Sequence, residues 1–286
     1  MNRHPDHQPP AEYSPPTPAL TGAWKRLRRG VCCLTAALVL GGLSVSASAL
    51  EPPQRIVSLD LCMAWILAHH ADPARVAALS PMHKRYPIQW IKGGWPTHDG
   101  TLEQIVELQP DLVLAGQYSA LLLRERLRSL GYRVEVLPLP TSFSQVENYE
   151  RTLLTLIDGD PRRTSPAPAP SVPAADAKRL LLLDANAIGT GTGTFEHQIL
   201  EQAGWQNYLQ HDGLIQLNLE QIAADPPDAI LFAAPDHQAL ANRFAEHPVL
   251  HRSVPADAWL STDYWRWQCP GPWTWDLIRQ LNQWLD

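Results

Sequence analysis

The chain states one passage twice. Leu102-Glu103-Gln104-Ile105, four residues and then Pro110-Asp111-Leu112-Val113-Leu114 return 117 positions later as Leu219-Glu220-Gln221-Ile222, four residues and Pro227-Asp228-Ala229-Ile230-Leu231. Both copies set a glutamate eight residues ahead of an aspartate. Each reads as a short helix carrying the Glu, a Pro-Asp turn that stops it, and an apolar, β-rich run that enters a buried strand. An offset of this length is far above the roughly 20 to 50 residues of solenoid repeats, so it implies two related α/β lobes and not a stacked array. Helix-to-strand junctions of this kind are also common grammar, so the duplication needs support from the rest of the chain.

That support comes from the order of elements. Residues 55–59 read as a first buried strand, Asp60 as the N-cap of a helix to about residue 70, and 75–79 as a second strand. A loop rich in Pro, Gly, His and aromatic residues spans 80–101. The first repeat copy supplies a helix and the strand 111–115; a helix over 121–130 stops at Gly131, and 133–137 is another strand. Alternation at this spacing predicts a parallel sheet. Residues 144–157 form a helix long enough to cross between lobes, followed by residues 158–175, where five prolines (161, 166, 168, 170 and 173) predict a loop or semi-rigid linker. The second lobe starts near Lys178 with a strand over 179–183, a Gly/Thr run over 189–194 and a helix over 195–203. The second repeat copy with its strand 229–233, a helix near 238–246, a short strand at 259–260 and a final helix over 274–285 complete it. The expected organisation is therefore a leader at 1–49, an N-terminal lobe at 50–140, a connecting helix and linker at 141–177, and a C-terminal lobe at 178–286.

The leader has its own logic. After a Pro-rich stretch, Trp24-Lys25-Arg26-Leu27-Arg28-Arg29 gives a positive cluster, an apolar run extends from Val31 to Val45, and Ala47-Ser48-Ala49 offers an A-x-A cleavage signal. The run is near 15 residues where a membrane span needs about 20, which favours cleavage after Ala49 over an uncleaved anchor. Gly30-Val31-Cys32 fits the twin-arginine pattern poorly, and Cys32 and Cys33 sit at the start of the apolar run and not after it, which argues against a lipid-anchored cysteine. Removing residues 1–49 takes five basic and two acidic residues from the chain's 23 and 29 and leaves a net charge of about −9, which argues against nucleic acid or anionic membrane as partner. Only Cys62 and Cys269 remain in an oxidising compartment, so one disulfide is possible.

Several passages together resemble a known family: residues 55–62, both Leu-Glu-Gln-Ile…Pro-Asp blocks, the Gly/Thr run ahead of a helix ending Gln202-Ala203-Gly204, and Trp267-Gln268-Cys269-Pro270-Gly271-Pro272. Over residues 53–286 the chain resembles the periplasmic binding proteins of iron-siderophore and vitamin B12 ABC importers. The resemblance implies two Rossmann-like α/β lobes joined by a single long helix, with a bulky ligand held between them, and no catalysis or resident cofactor. It implies a periplasmic, monomeric protein that hands an iron complex (siderophore or haem) or cobalamin to an ABC importer permease. It also assigns to Glu103 and Glu220 the docking of permease arginines, while the residues alone allow two solvated carboxylates at helix N-termini. The Pro-rich segment 158–175 departs from the family pattern and leaves hinge stiffness open.

Ligands of such lobes lie at the loops beyond the carboxyl ends of strands. The candidates are Asp60, Leu61 and Cys62; His83, Tyr86 and Trp95 in the long loop; Gly116, Gln117 and Tyr118 after the repeat strand; Gly191 and Thr192; and Tyr264, Trp265, Arg266 and Trp267, where three aromatics around an arginine suit a planar chelate or the protein's own core. His83 and Tyr86 are possible axial contacts to a haem or corrin metal. The Gly/Thr run lacks the Lys of a nucleotide loop and is expected as a tight turn whose amides face the cleft. The histidines, among them His69, His70, His83 and His98, show no compact metal-ligand spacing. Two other readings stay open: an extracytoplasmic thiol enzyme using Cys62 at a helix N-terminus, and a free-metal (Zn or Mn) binding protein.

Overall fold

The computed structural model describes residues 51–86, 91, 93–234 and 239–285, all inside one compact unit spanning 49–286. The leader read at 1–49 lies outside the described residues, as do parts of the 80–101 loop and the first residue of the expected 238–246 helix. Among the described residues no helix is long and apolar enough to cross a membrane.

The N-terminal lobe runs β1 (Ile56–Ser58), α1 (Leu61–His70), β2 (Val76–Ala78), α2 (Met82–Arg85), α3 (Leu102–Glu107), β3 (Leu112–Gly116), α4 (Leu121–Ser129) and β4 (Val134–Leu137). Its sheet has the order β2-β1-β3-β4 and every pair is parallel. The strands read as unbroken apolar runs because helices cover both faces. Ile56, Leu112 and Leu114 face α1, while Val57, Val113 and Ala115 face Ile105 of α3 and Leu127 of α4. In α1 the Asp60 carboxylate accepts from the Met63 N–H as N-cap, and the sequence is apolar nearly all round, which suits a helix with six of its ten residues buried. Gly131, at φ +89°, makes the left-handed turn that ends α4.

The C-terminal lobe runs β5 (Arg179–Asp184), β6 (Ile188–Thr190), α6 (Phe195–Gln202), β7 (Gln206–Asn207), β8 (Leu214–Gln216), α7 (Leu219–Ala224), β9 (Ala229–Phe232), α8 (Pro248–Ser253), β10 (Trp259–Ser261), α9 (Trp265–Gln268) and α10 (Thr274–Gln283). Here the sheet order is β10-β9-β5-β6-β8, with β7 also paired to β5. The strands β10, β9, β5 and β7 are parallel, but β6 runs antiparallel to both β5 and β8. Two expectations are corrected. The Gly/Thr run is no simple strand-to-helix turn: its start lies in β6. In place of a helix over 238–246 there is a single 3-10 turn, Leu240–Asn242, and the helix begins later, where His247 caps and Pro248 opens α8.

The repeat is deeper than its letters. Asp111 accepts from the N–H groups of Gln54 and Arg55 at the start of β1, and Asp228 accepts from the N–H of Arg179 at the start of β5. The same two arginines reach back to the end of the preceding helix, Arg55 to the Leu108 carbonyl and Arg179 to the Pro226 carbonyl and the Asp225 carboxylate. Thr101 and Asn218 cap α3 and α7 in turn. Each Pro-Asp turn therefore fastens its helix to the lobe's first strand.

The lobes are joined by α5 (Phe143–Leu156), 14 residues or about 21 Å long. Its Tyr149 and Leu153 enter the N-terminal core and its Val146 the C-terminal core. It is not the only tie. The C-terminal segment alternates between cores, with Trp265, Cys269 and Trp273 against the N-terminal lobe and Trp267 and Trp275 in the C-terminal one. A disulfide joins Cys62 to Cys269. The Pro-rich linker is also held down: its Ser165 N–H donates to Glu150 of α5 (2.8 Å), Gln202 of α6 bonds Ala169 and Ser171, and Gln206 donates to the carbonyls of Ala174 and Ala175.

Candidate functional site

The carboxyl ends of β1 and β3 open into a cavity of about 410 Å³ that is mostly apolar. Asp60, Leu61 and Cys62 form one wall, Gly116, Gln117, Tyr118 and Ser119 another, and Trp265, Gln268 and Cys269 close it from the C-terminal segment. This is where a parallel α/β lobe places its ligands. Asp60 holds the two N-terminal loops together: one carboxylate oxygen caps α1, and the other accepts from the Ser119 hydroxyl (2.8 Å) and the Gly116 N–H. Arg124 fixes the second loop from below by donating to the carbonyls of Gly116, Gln117 and Ser119. Tyr118, 78% exposed, stands on the rim beside exposed Leu121 and Leu122.

Further lining residues, Leu59, Met82, Leu137, Leu139 and Tyr149, were not singled out from the sequence. Tyr149 sits on α5, whose apolar periodicity marks it as core; burial, aided by the Asp60 charge, pushes its hydroxyl well above the usual range. Across the lobe boundary Tyr86 packs on Trp265 with ring centroids 3.9 Å apart, and Tyr264 stacks edge-on to Trp265 at 5.0 Å. The Tyr264 hydroxyl is pushed up to about 12 by burial, with Asp184 and Tyr86 adding to it. Asp184 at the end of β5 and Glu196 in the first turn of α6 are both raised by burial, Glu196 also by the charge of Asp184.

Not every expected residue meets the cavity. Trp267 is 4% exposed in the C-terminal core, where its indole N–H donates to Thr262, and Arg266 turns to Gln280 of α10. Gly191 and Thr192 pair through their N–H groups with the carbonyls of Gly213 and His211, so those amides do not face the cleft; a Cβ on Gly191 would collide with the His211 carbonyl. Trp95 packs against the N-terminal core. His83 is buried with its Nδ1 donating to the Ser80 carbonyl, and His98 is spent on Ser58 and Gly100. Because Cys62 is bonded to Cys269, it has no thiolate to offer, and the nucleophile reading is overturned. Glu103 and Glu220 are both exposed in the first turns of α3 and α7.

The fold also gathers groups that sequence spacing scattered. His69 and His70 end α1, and His70 Nε2 lies 2.7 Å from Oε1 of Glu150, whose residue is 0% exposed. Helix α5 brings Glu150 there from 80 positions away, a juxtaposition no local pattern encodes.

No family model and no curated protein matches the sequence. Solved structures do match the fold. A solute-binding protein from Staphylococcus epidermidis described as possibly iron-binding aligns with a TM-score of 0.64 at 16% identity, covering 82% of this chain and 98% of that one. A periplasmic heme-binding protein of Vibrio cholerae aligns at 0.63 and 14% identity over 81% and 98% of the two chains. A periplasmic vitamin B12-binding protein of Vibrio cholerae aligns at 0.55 and 17% over 82% and 97%. The fold is therefore that of two-lobe periplasmic binding proteins.

Proposed function

We propose that the chain is a non-catalytic, extracytoplasmic binding protein that captures an iron complex (siderophore or haem) or cobalamin in the cleft and delivers it, as a monomer, to the permease of an ABC importer. The observation that carries this reading is the cavity itself. It is an apolar, aromatic-lined space at the strand ends of one lobe, with Trp265 of the C-terminal segment as one wall, which suits a bulky planar chelate. The fold shared with binding proteins of iron complexes and vitamin B12 supports the same class of cargo. Glu103 and Glu220, one on each pseudo-equivalent surface, would engage the two halves of the permease by charge. Secretion would follow from the leader, with cleavage after Ala49.

Tryptophan fluorescence tests the reading, because Trp265 lines the cavity. Cobalamin, haemin and a panel of ferric siderophores are titrated into the protein. Saturable quenching by one of them at micromolar or lower concentration names the cargo. A flat response to all overturns the reading.

A further inference from the structure

A second cavity, of about 490 Å³, lies away from the cleft between the Pro-rich linker and the last helix, lined by His69, Ser165, Trp273, Trp275 and Arg279 among others. Its His69 belongs to the far end of α1, nine positions and about 13 Å along the helix from the cleft wall at Asp60. One ligating atom from each of His69, His70 and Glu150 lies there within 4.8 Å of the others.

Two features of this cluster are unexplained by packing. Glu150 is fully buried, yet among the described residues no Lys or Arg forms an ion pair with it; its carboxylate meets only the His70 ring and the Ser165 N–H. A buried carboxylate without a cation is costly. The His70 side chain is 3% exposed, and its Nδ1 has no hydrogen-bond partner among the described residues. In the neutral tautomer whose Nε2 proton is directed at Glu150, Nδ1 offers its lone pair to an ion. A carboxylate that orients an imidazole by one nitrogen and leaves the other free is the arrangement found behind metal-bound histidines. The exposed ring of His69 stands with its centroid 4.6 Å from that of His70 and opens on the second cavity, which gives an ion a route in and room for water ligands.

We propose that His69, His70 and Glu150 form a site for one divalent transition-metal ion, distinct from the ligand cleft, with the two imidazoles as ligands and the Glu150 carboxylate neutralising the ion and holding His70. Nitrogen donors with one carboxylate suit zinc, cobalt or nickel and not calcium or magnesium. The inward move needed to reach nitrogen–metal distances of about 2.1 Å falls on His69, the exposed member. Occupancy would clasp the end of α1, the middle of α5 and the start of the linker, the three parts that meet at Glu150.

The test is titration of the untagged protein with cobalt(II), read by its visible d–d absorption, with zinc competing. The expected result is one ion per chain at micromolar concentration, displaced by zinc. His69→Ala, an exposed position that leaves the fold intact by circular dichroism, weakens binding by about 10- to 100-fold or more, and Glu150→Gln by about 10- to 100-fold, the range of an orienting partner. Absence of a cobalt band up to 1 mM overturns the proposal, as does unchanged affinity in His69→Ala. The cleft reading is untouched by either result, since siderophore and cobalamin quenching of Trp265 is measured separately.

Discussion

Removing the disulfide tests whether the lobes act as one body. The double variant Cys62→Ala/Cys269→Ala breaks a bridge that closes a loop across 207 positions, from the first turn of α1 to the residue after α9. Chain entropy alone assigns about 5 kcal/mol to a loop of that length, at the upper end of what disulfides deliver. For a chain of this size each kcal/mol shifts the melting temperature by about 2–4 °C, so a fall of roughly 10–20 °C is expected. Trp265 and Trp273 still pack on the N-terminal core in the variant, so the lobes stay in contact but lose their covalent tie. Differential scanning calorimetry of the oxidised protein should show one transition, and the variant should show a lower and broader one as the lobes decouple. A drop below about 2 °C, corresponding to under 1 kcal/mol, refutes the reasoning and leaves Trp packing as the tie.

Trp265→Ala removes the aromatic wall supplied by the C-terminal segment and should weaken ligand binding by about 30-fold, some 2 kcal/mol, in a competition assay that does not depend on Trp emission. Asp60→Ala takes the cap from α1 and orphans the Gly116 N–H and Ser119 hydroxyl, a combined loss of about 2–4 kcal/mol read by urea denaturation. Glu103→Ala/Glu220→Ala should leave ligand affinity unchanged while abolishing stimulation of the permease ATPase; unchanged stimulation would remove the docking role. Glu196 is raised by burial, so its folded form binds the proton more tightly than the unfolded chain does; its stabilising share is present at low pH and lost as pH rises through the raised value. Glu196→Gln should therefore raise the melting temperature at pH 7 to 8, and the gain should vanish as pH falls into the ordinary carboxylate range.

Local grammar made most of the fold legible. Asp60 ahead of an apolar run, Gly131 after one and the paired Pro-Asp turns each fix their own backbone within a few residues, and the structure sets α1, α4, β3 and β9 where those signals fall. The Gly/Thr run misled because its partner, residues 211–213, has no strand signature of its own; Gly191 is required there by the close His211 carbonyl and not by a turn. Composition could not decide among Tyr264, Trp265 and Trp267 either. They stand within four positions, yet the short helix α9 turns Trp265 to the N-terminal lobe and Trp267 to the C-terminal core, a division that depends on partners distant in sequence. The same limit explains Glu150. Nothing in the local sequence of the connecting helix marks it, whereas the fold buries it between the end of α1 and the Pro-rich segment. The side chains that local pattern could not place, Glu150, Trp265 and Trp267, share one cause: their surroundings are set by residues 80 or more positions away or by the second lobe, beyond the reach of any local pattern.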